Sequence, residues 1–253
     1  MIREIRRGVF MKVILASKKF INNDVDYNLK VILGTMEEAR GLGAELVCFG
    51  EAFLQGFDAL CWTDYVRDLE VAVSIGSGIM GTIKEKSIEF SIAVAFGYIE
   101  KENDSMYSSY IIIDQGKVIT NYRRISEGWK EYSKTDEHYC EGDITDAFSW
   151  KGRSWKLCLC GDLFVFPEKF HVVDEILLWP IYMQFSIEAW EESFSEEYRE
   201  LIKSVGNNAL IINSLSDNPE AFGGSYYYHN GEFIASLAMG KEGILLVELE
   251  NNY

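Results

Sequence analysis

Proline is scarce, with three residues in 253. No Pro- or Ser-rich stretch divides the chain and no repeat is visible. One domain over residues 11–253 is therefore expected, preceded by an N-terminal extension, residues 1–10. No apolar run reaches the ~20 residues needed to cross a bilayer, so no membrane partner is expected. Basic residues are also few. Lys+Arg 24 against Asp+Glu 40 leaves a formal charge of -16, which repels phosphate backbones and makes nucleic acid an unsuitable partner. The five cysteines are odd in number and scattered, a poor disulfide framework. The basic N-terminus lacks the apolar stretch of a secretion signal. The expected compartment is a reducing cytoplasm, where a free thiol can act as a nucleophile.

Apolar residues are plentiful. They make up 48% of the chain, with 14% aromatics, enough for a substantial core without metal or disulfide support. Strand and helix patterns alternate. Lys12–Ser17 and Glu45–Phe49 read as buried strands flanking a helix capped by Asp24 or Asp26, whose Leu29, Ile32, Leu33 and Met36 share a face. A Gly-interrupted helical stretch over 65–89 precedes strands at 90–99, 105–114 and 117–123, two of them joined by the turn Asp114-Gln115-Gly116. Further strands are expected at 148–150, 154–160, 175–179, 209–213 and 243–249, with a pair around His229-Asn230-Gly231 and an acidic helix over 186–205. This pattern predicts an α/β sandwich with mixed sheets.

Reactive groups in such folds collect at the C-terminal ends of strands. Glu51 follows ELVCFG, Cys160 follows SWKLCL, and Arg123, Arg124 and Lys130 follow the strand ending at Tyr122. A carboxylate, a thiol and a cation have a joint use. The cation favours thiolate and stabilises an oxyanion, while the carboxylate moves the proton. Cys48 and Cys158 read as core residues. Cys158, Cys160 and His171 lack the paired spacing of a zinc site, so no metal is expected. No Gly-rich phosphate loop follows a strand, and no cofactor is expected. Trp179, Tyr182 and Phe185 fit either a pocket wall or the core, and Trp190 and Phe194 fit packing on the acidic helix.

Three strings carry a family resemblance. AELVCFGEAFLQGF (44–57), KLCLCGDLFVFPE (156–168) and GGSYYYHNGEFIASLAMGKEGILLVELE (223–250) resemble segments of the nitrilase, or carbon–nitrogen hydrolase, superfamily. NYRRIS and EHYCEGD resemble its "YRKxHL" and "ExxYxPGD" segments. The resemblance implies a four-layer α-β-β-α sandwich, a homodimer or larger assembly, and hydrolysis of a small amide or nitrile through a Cys thioester. It implies Cys160 as nucleophile and Glu51 as base. Glu137 then matches a second, positioning glutamate, Asp162 the acidic residue two places after the nucleophile, and Gly161 the residue whose N–H helps hold the oxyanion.

The departures lie at the cation. Arg124 occupies the position of the family's lysine, and arginine is longer, planar and forked. The reading places the ammonium on Lys130, with Arg124 as a structural or anion-binding partner and Lys134 as a third candidate. Ser126 stands where histidine is common, and Gly161 where a bulky aromatic or polar residue is usual. The alternative to an enzyme is a catalytically inactive binding or scaffold protein of the same fold.

Overall fold

The computed structural model describes residues 10–250. The expected extension therefore lies outside the described residues except for Phe10, which begins the first strand opposite Glu250. The strands run β1 Phe10–Ser17, β2 Leu46–Cys48, β3 Ala93–Glu102, β4 Ser105–Asp114, β5 Lys117–Arg123, β6 Phe148–Trp150 and β7 Arg153–Leu157. They continue with β8 Ile176–Ile181, β9 Asn208–Asn213, β10 Leu215–Asp217, β11 Glu220–Phe222, β12 Ser225–His229, β13 Glu232–Leu237 and β14 Gly243–Glu250. The helices are α1 Val25–Gly41, α2 Tyr65–Val71, α3 Gly78–Glu89, α4 Asp162–Val165, α5 Ile187–Ala189 and α6 Ser195–Val205.

Two six-stranded mixed sheets form the centre, ordered β14-β1-β2-β3-β4-β5 and β13-β12-β9-β8-β7-β6. In each, three neighbouring strands are parallel (β1-β2-β3 and β7-β8-β9) and the outer pairings are antiparallel. One apolar cluster joins the sheets, with Val13, Leu15 and Cys48 from the first packed with Trp155, Leu178 and Leu210 from the second. The outer face of the first sheet packs Ile14, Val47 and Val94 against Ile32, Met36 and Ala39 of α1 and Met80 and Ile83 of α3. On the outer side of the second, Tyr198, Ile202 and Val205 of α6 are buried. This is the expected four-layer α-β-β-α sandwich.

Local chemistry explains the element ends. Asp24 accepts from Tyr27 N to cap α1, and Ser77 from Met80 N to cap α3. Gln115 and Gly116 both take positive φ, 49° and 74°, the backbone of a tight hairpin turn. Three expectations change. The 65–89 helix is two helices, because Val73 between them pairs with β3 through Ile99 O and Lys101 N. The strand expected to run to Cys160 stops at Leu157, because Cys160 turns to φ 46°. The 186–205 helix carries a π turn at Trp190–Phe194 between α5 and α6. The β10–β11 hairpin has no counterpart among the expected strands. Among the described residues, no helix is long and apolar enough to cross a membrane.

Candidate active site

Glu51 lies three residues past β2 on a turn held by both sheets. Phe49 N donates to Ala95 O at 2.8 Å, Tyr110 Oη to Phe49 O at 2.8 Å, and Glu51 N to Ile181 O of the opposite sheet at 3.3 Å. Gly97 of β3 makes this approach possible, since a Cβ there would come within 2.7 Å of Glu51 Cα. The carboxylate is fully buried. Its Oε1 accepts from Arg124 Nη1 at 2.8 Å and from Ser108 Oγ at 3.3 Å. Its Oε2 is buried with no hydrogen-bond donor.

Cys160 caps the end of β7 from the other sheet. Its N–H donates to Pro180 O at 2.9 Å, its carbonyl accepts from Trp179 Nε1 at 2.9 Å, and its Sγ donates to Tyr182 O at 3.8 Å. These contacts hold a non-glycine residue at φ 46°, a sparsely populated conformation that surrounding structure must enforce. The side chain is partly exposed. Burial and then the Glu51 charge push its thiol up to about 12, against the opposing pull of Arg124. The cation expected to favour a resting thiolate is thus outweighed.

Arg123 and Arg124, adjacent at the end of β5, point to opposite faces. Arg123 turns outward, donating to Glu100 from Nε at 2.9 Å and from Nη2 at 2.7 Å and lying 3.8 Å from the Tyr107 ring centroid. Arg124 turns inward and is 4% exposed. Its Nε donates to Ser126 Oγ at 2.8 Å, completing the fork that begins with Glu51. Burial acts against its charge, but Glu51, Cys160 and Asp162 together hold the guanidinium well above its ordinary range.

Asp162 ties these two strand ends together. Its Oδ1 accepts from Ile125 N at 3.1 Å and Ser126 N at 2.7 Å; its Oδ2 accepts from Tyr122 Oη at 2.6 Å and Leu159 N at 3.2 Å. Burial raises its carboxyl, while Tyr122 and Arg124 oppose that rise. Gly161 lies beside Arg124, with Ser126 on the same guanidinium.

Two expected site residues stand apart from this group. Lys130 makes no hydrogen bond or ion pair with Glu51 or Cys160. Its Nζ is bound instead to the Tyr139 carbonyl and to Glu141, whose Oε1 lies 2.7 Å away. Lys130, expected to supply the ammonium, is paired with an adjacent carboxylate within its own loop. Glu137 is exposed at the rim of an open groove shared with Lys130, and its carboxylate pairs with no described residue. Trp179 and Tyr182 are core residues that also hold the Cys160 turn. Trp190 and Phe194 pack on Tyr226 and Phe185. Ser108 gives no signal in the sequence, because an isolated serine inside a strand does not announce the carboxylate across from it. Tyr198 gives no such signal either; it is buried, stacks on Trp179 with 5.0 Å between ring centroids, and burial pushes its hydroxyl well above its ordinary range. Among the described residues, no three His, Cys, Asp or Glu side chains group as a metal-binding set.

Residues 15–168 match the sequence profile of the family described as carbon-nitrogen hydrolase. An aliphatic nitrilase of Rhodococcus rhodochrous is 25% identical over 182 residues, 68% of this chain and 45% of that protein. An arylacetonitrilase of Fusarium vanettenii is 36% identical over 110 residues, 40% of this chain and 32% of that protein. The chain thus matches less than half the length of these curated relatives. In fold it is similar to an amidase from Nesterenkonia sp., with a TM-score of 0.78 at 18% identity, covering 98% of this chain and 93% of the other.

Proposed function

Because the chain belongs to the carbon–nitrogen hydrolase family, we propose that it cleaves the carbon–nitrogen bond of a small amide or nitrile, with Cys160 as nucleophile, Glu51 as proton carrier and Arg124 as the cation. The observation that carries this reading is the buried Arg124–Glu51 pair, 2.8 Å long, set beside the Cys160 turn: Glu51 N bonds to Ile181 O, next to the Tyr182 carbonyl that receives Cys160 Sγ, and Arg124 Nη2 lies against Gly161.

With an amide, Glu51 takes the thiol proton as sulfur attacks the carbonyl carbon. The resting group is a thiol, so proton transfer accompanies attack and no standing thiolate is required. The new C–S bond pushes the carbonyl electrons onto oxygen. Two donors support an oxyanion there: the Gly161 N–H and Arg124 Nη2, neither bound to another described residue. The C–N bond then breaks as protonated Glu51 returns its proton to the departing nitrogen, leaving a Cys160 thioester. Water attacks the thioester as Glu51 takes its proton, and the sulfur leaves as thiol after that proton is passed back. With a nitrile, the same attack gives a thioimidate that one water converts to the thioester with loss of ammonia. A second water releases the acid.

The test is ammonia release from a panel of short aliphatic and aryl amides and nitriles, with mass spectrometry of the protein quenched during turnover. Turnover with an acyl adduct on Cys160, both lost in Cys160→Ala, is expected. Absence of turnover and adduct across the panel would overturn the reading. That result would favour a binding protein of the same fold, the alternative that the high resting thiol supports.

A further inference from the structure

Three residues that depart from the resembled segments meet at one place: Arg124, Ser126 and Gly161. Ser126 Oγ accepts from Arg124 Nε at 2.8 Å. A Cβ built on Gly161 would lie 2.5 Å from Arg124 Nη2, closer than real Cβ atoms come, and 3.4 Å from Ser126 Oγ. A Cβ on Gly128 would meet the same Nη2 at 3.0 Å.

The backbone does not demand glycine at 161. Its φ of -64° and ψ of -12° are helical values that any residue adopts. Nor can Arg124 easily retreat. Its Nη1 is fixed on Glu51 and its Nε on Ser126, leaving Nη2 as the arm of a planar fork whose direction is already set. What Gly161 supplies is space.

We propose that Gly161, with Gly128, forms a slot that seats the Arg124 guanidinium beside the nucleophile, making Gly161 a positioning residue that permits arginine at position 124. It rests on the reading of Arg124 as the cation. A lysine has one nitrogen and no Nη2, so it does not need the slot. Side-chain size at 161 and the choice of cation at 124 are therefore coupled, and neither is optimal without its match.

The experiment is a cycle of Gly161→Ala, Arg124→Lys and the double variant in the full chain. It reads amide or nitrile turnover and, independently of any substrate, the pH profile of Cys160 alkylation by iodoacetamide. Gly161→Ala should slow alkylation at pH 9 about tenfold and move the thiol titration upward by about one unit, because the guanidinium that favours thiolate is displaced. A packing defect that leaves the guanidinium in place would not move that titration. Arg124→Lys should slow the reaction in the wild-type background yet speed it in the Gly161→Ala background. An equal factor in both backgrounds would overturn the proposal, as would an unshifted profile in Gly161→Ala. Gly128→Ala carries the same comparison with Arg124→Lys if Gly161→Ala does not accumulate folded. Absent turnover in the wild type with the alkylation cycle as expected would strike the proposed hydrolysis and leave the slot standing.

Discussion

Arg124 Nη1 donates to Glu51 Oε1 at 2.8 Å, with the two side chains 4% and 0% exposed. One sheet supplies both partners, from the ends of β2 and β5, and the other sheet supplies the sulfur they act on. Glu51 therefore has its compensating cation built in. The same cation pulls the Cys160 thiol down while the Glu51 charge pushes it up. Changing either partner alters the fold and the chemistry together.

That coupling sets the first expectation. Arg124→Met removes the cation and leaves a buried carboxylate uncompensated, a loss of about 3–5 kcal/mol. Urea unfolding should show the loss, and turnover should vanish. The double variant Arg124→Met/Glu51→Gln, which removes both charges, should recover much of the stability and none of the turnover. A single variant as stable as wild type would show that the pair does not carry the buried charge.

Alkaline pH provides a second. An unfolded thiol titrates near ~8.5, whereas in the folded chain Cys160 is pushed up to about 12. Below the unfolded value both states hold the proton, and the contribution to stability is fully present. As pH rises past it, the unfolded chain releases the proton first, so stability is lost progressively towards the folded value. Cys160→Ser has no such group. Its unfolding midpoint should fall less between pH 8 and 11 than that of wild type, and parallel curves would contradict the shift. Other alkaline groups cancel in the difference.

Asp162 gives a third. It is the sole acceptor for three backbone N–H groups, from Ile125, Ser126 and Leu159, and it also receives the Tyr122 hydroxyl. Asp162→Ala strands these donors at ~1–3 kcal/mol each, and the melting temperature should fall by about ten degrees. Asp162→Asn keeps one carbonyl acceptor and should fall less. Tyr122→Phe in the Asp162→Ala background should cost little more, because its partner is already gone. Independent, additive losses would separate Tyr122 from the Asp162 network.

Much of this is legible in the sequence, and the reasons are local. Glu51 and Cys160 each follow a short apolar strand, and the strand-end rule places them without knowledge of the tertiary fold. The inward-turning basic residue is not legible in the same way. Arg124 and Lys130 are six residues apart on one loop, and charge alone does not say which turns inward. What decides is a neighbour distant in sequence for each: Glu51 for Arg124, and Glu141 with the Tyr139 carbonyl for Lys130. Gly161 was visible as a departure, but its meaning depends on a side chain 37 positions away. The β10–β11 hairpin is three residues per strand, too short for periodicity to register.

Lys130 tests directly which cation acts on Cys160. Its ammonium is nearly buried, bound to Glu141 and the Tyr139 carbonyl, and close to the Trp129 and Tyr132 rings. Those contacts fasten the loop over 127–141 to itself. Lys130→Met keeps the stem and removes the charge, leaving Glu141, which is a quarter exposed, free to meet water. Stability should drop by about 1–3 kcal/mol, because the Tyr139 carbonyl loses its donor, and the pH profile of Cys160 alkylation should be unmoved. Arg124→Met in parallel should shift that profile. If instead the lysine variant moves the thiol titration and the arginine variant does not, the cation belongs to Lys130, and the pairing of Arg124 with Glu51 serves the fold alone.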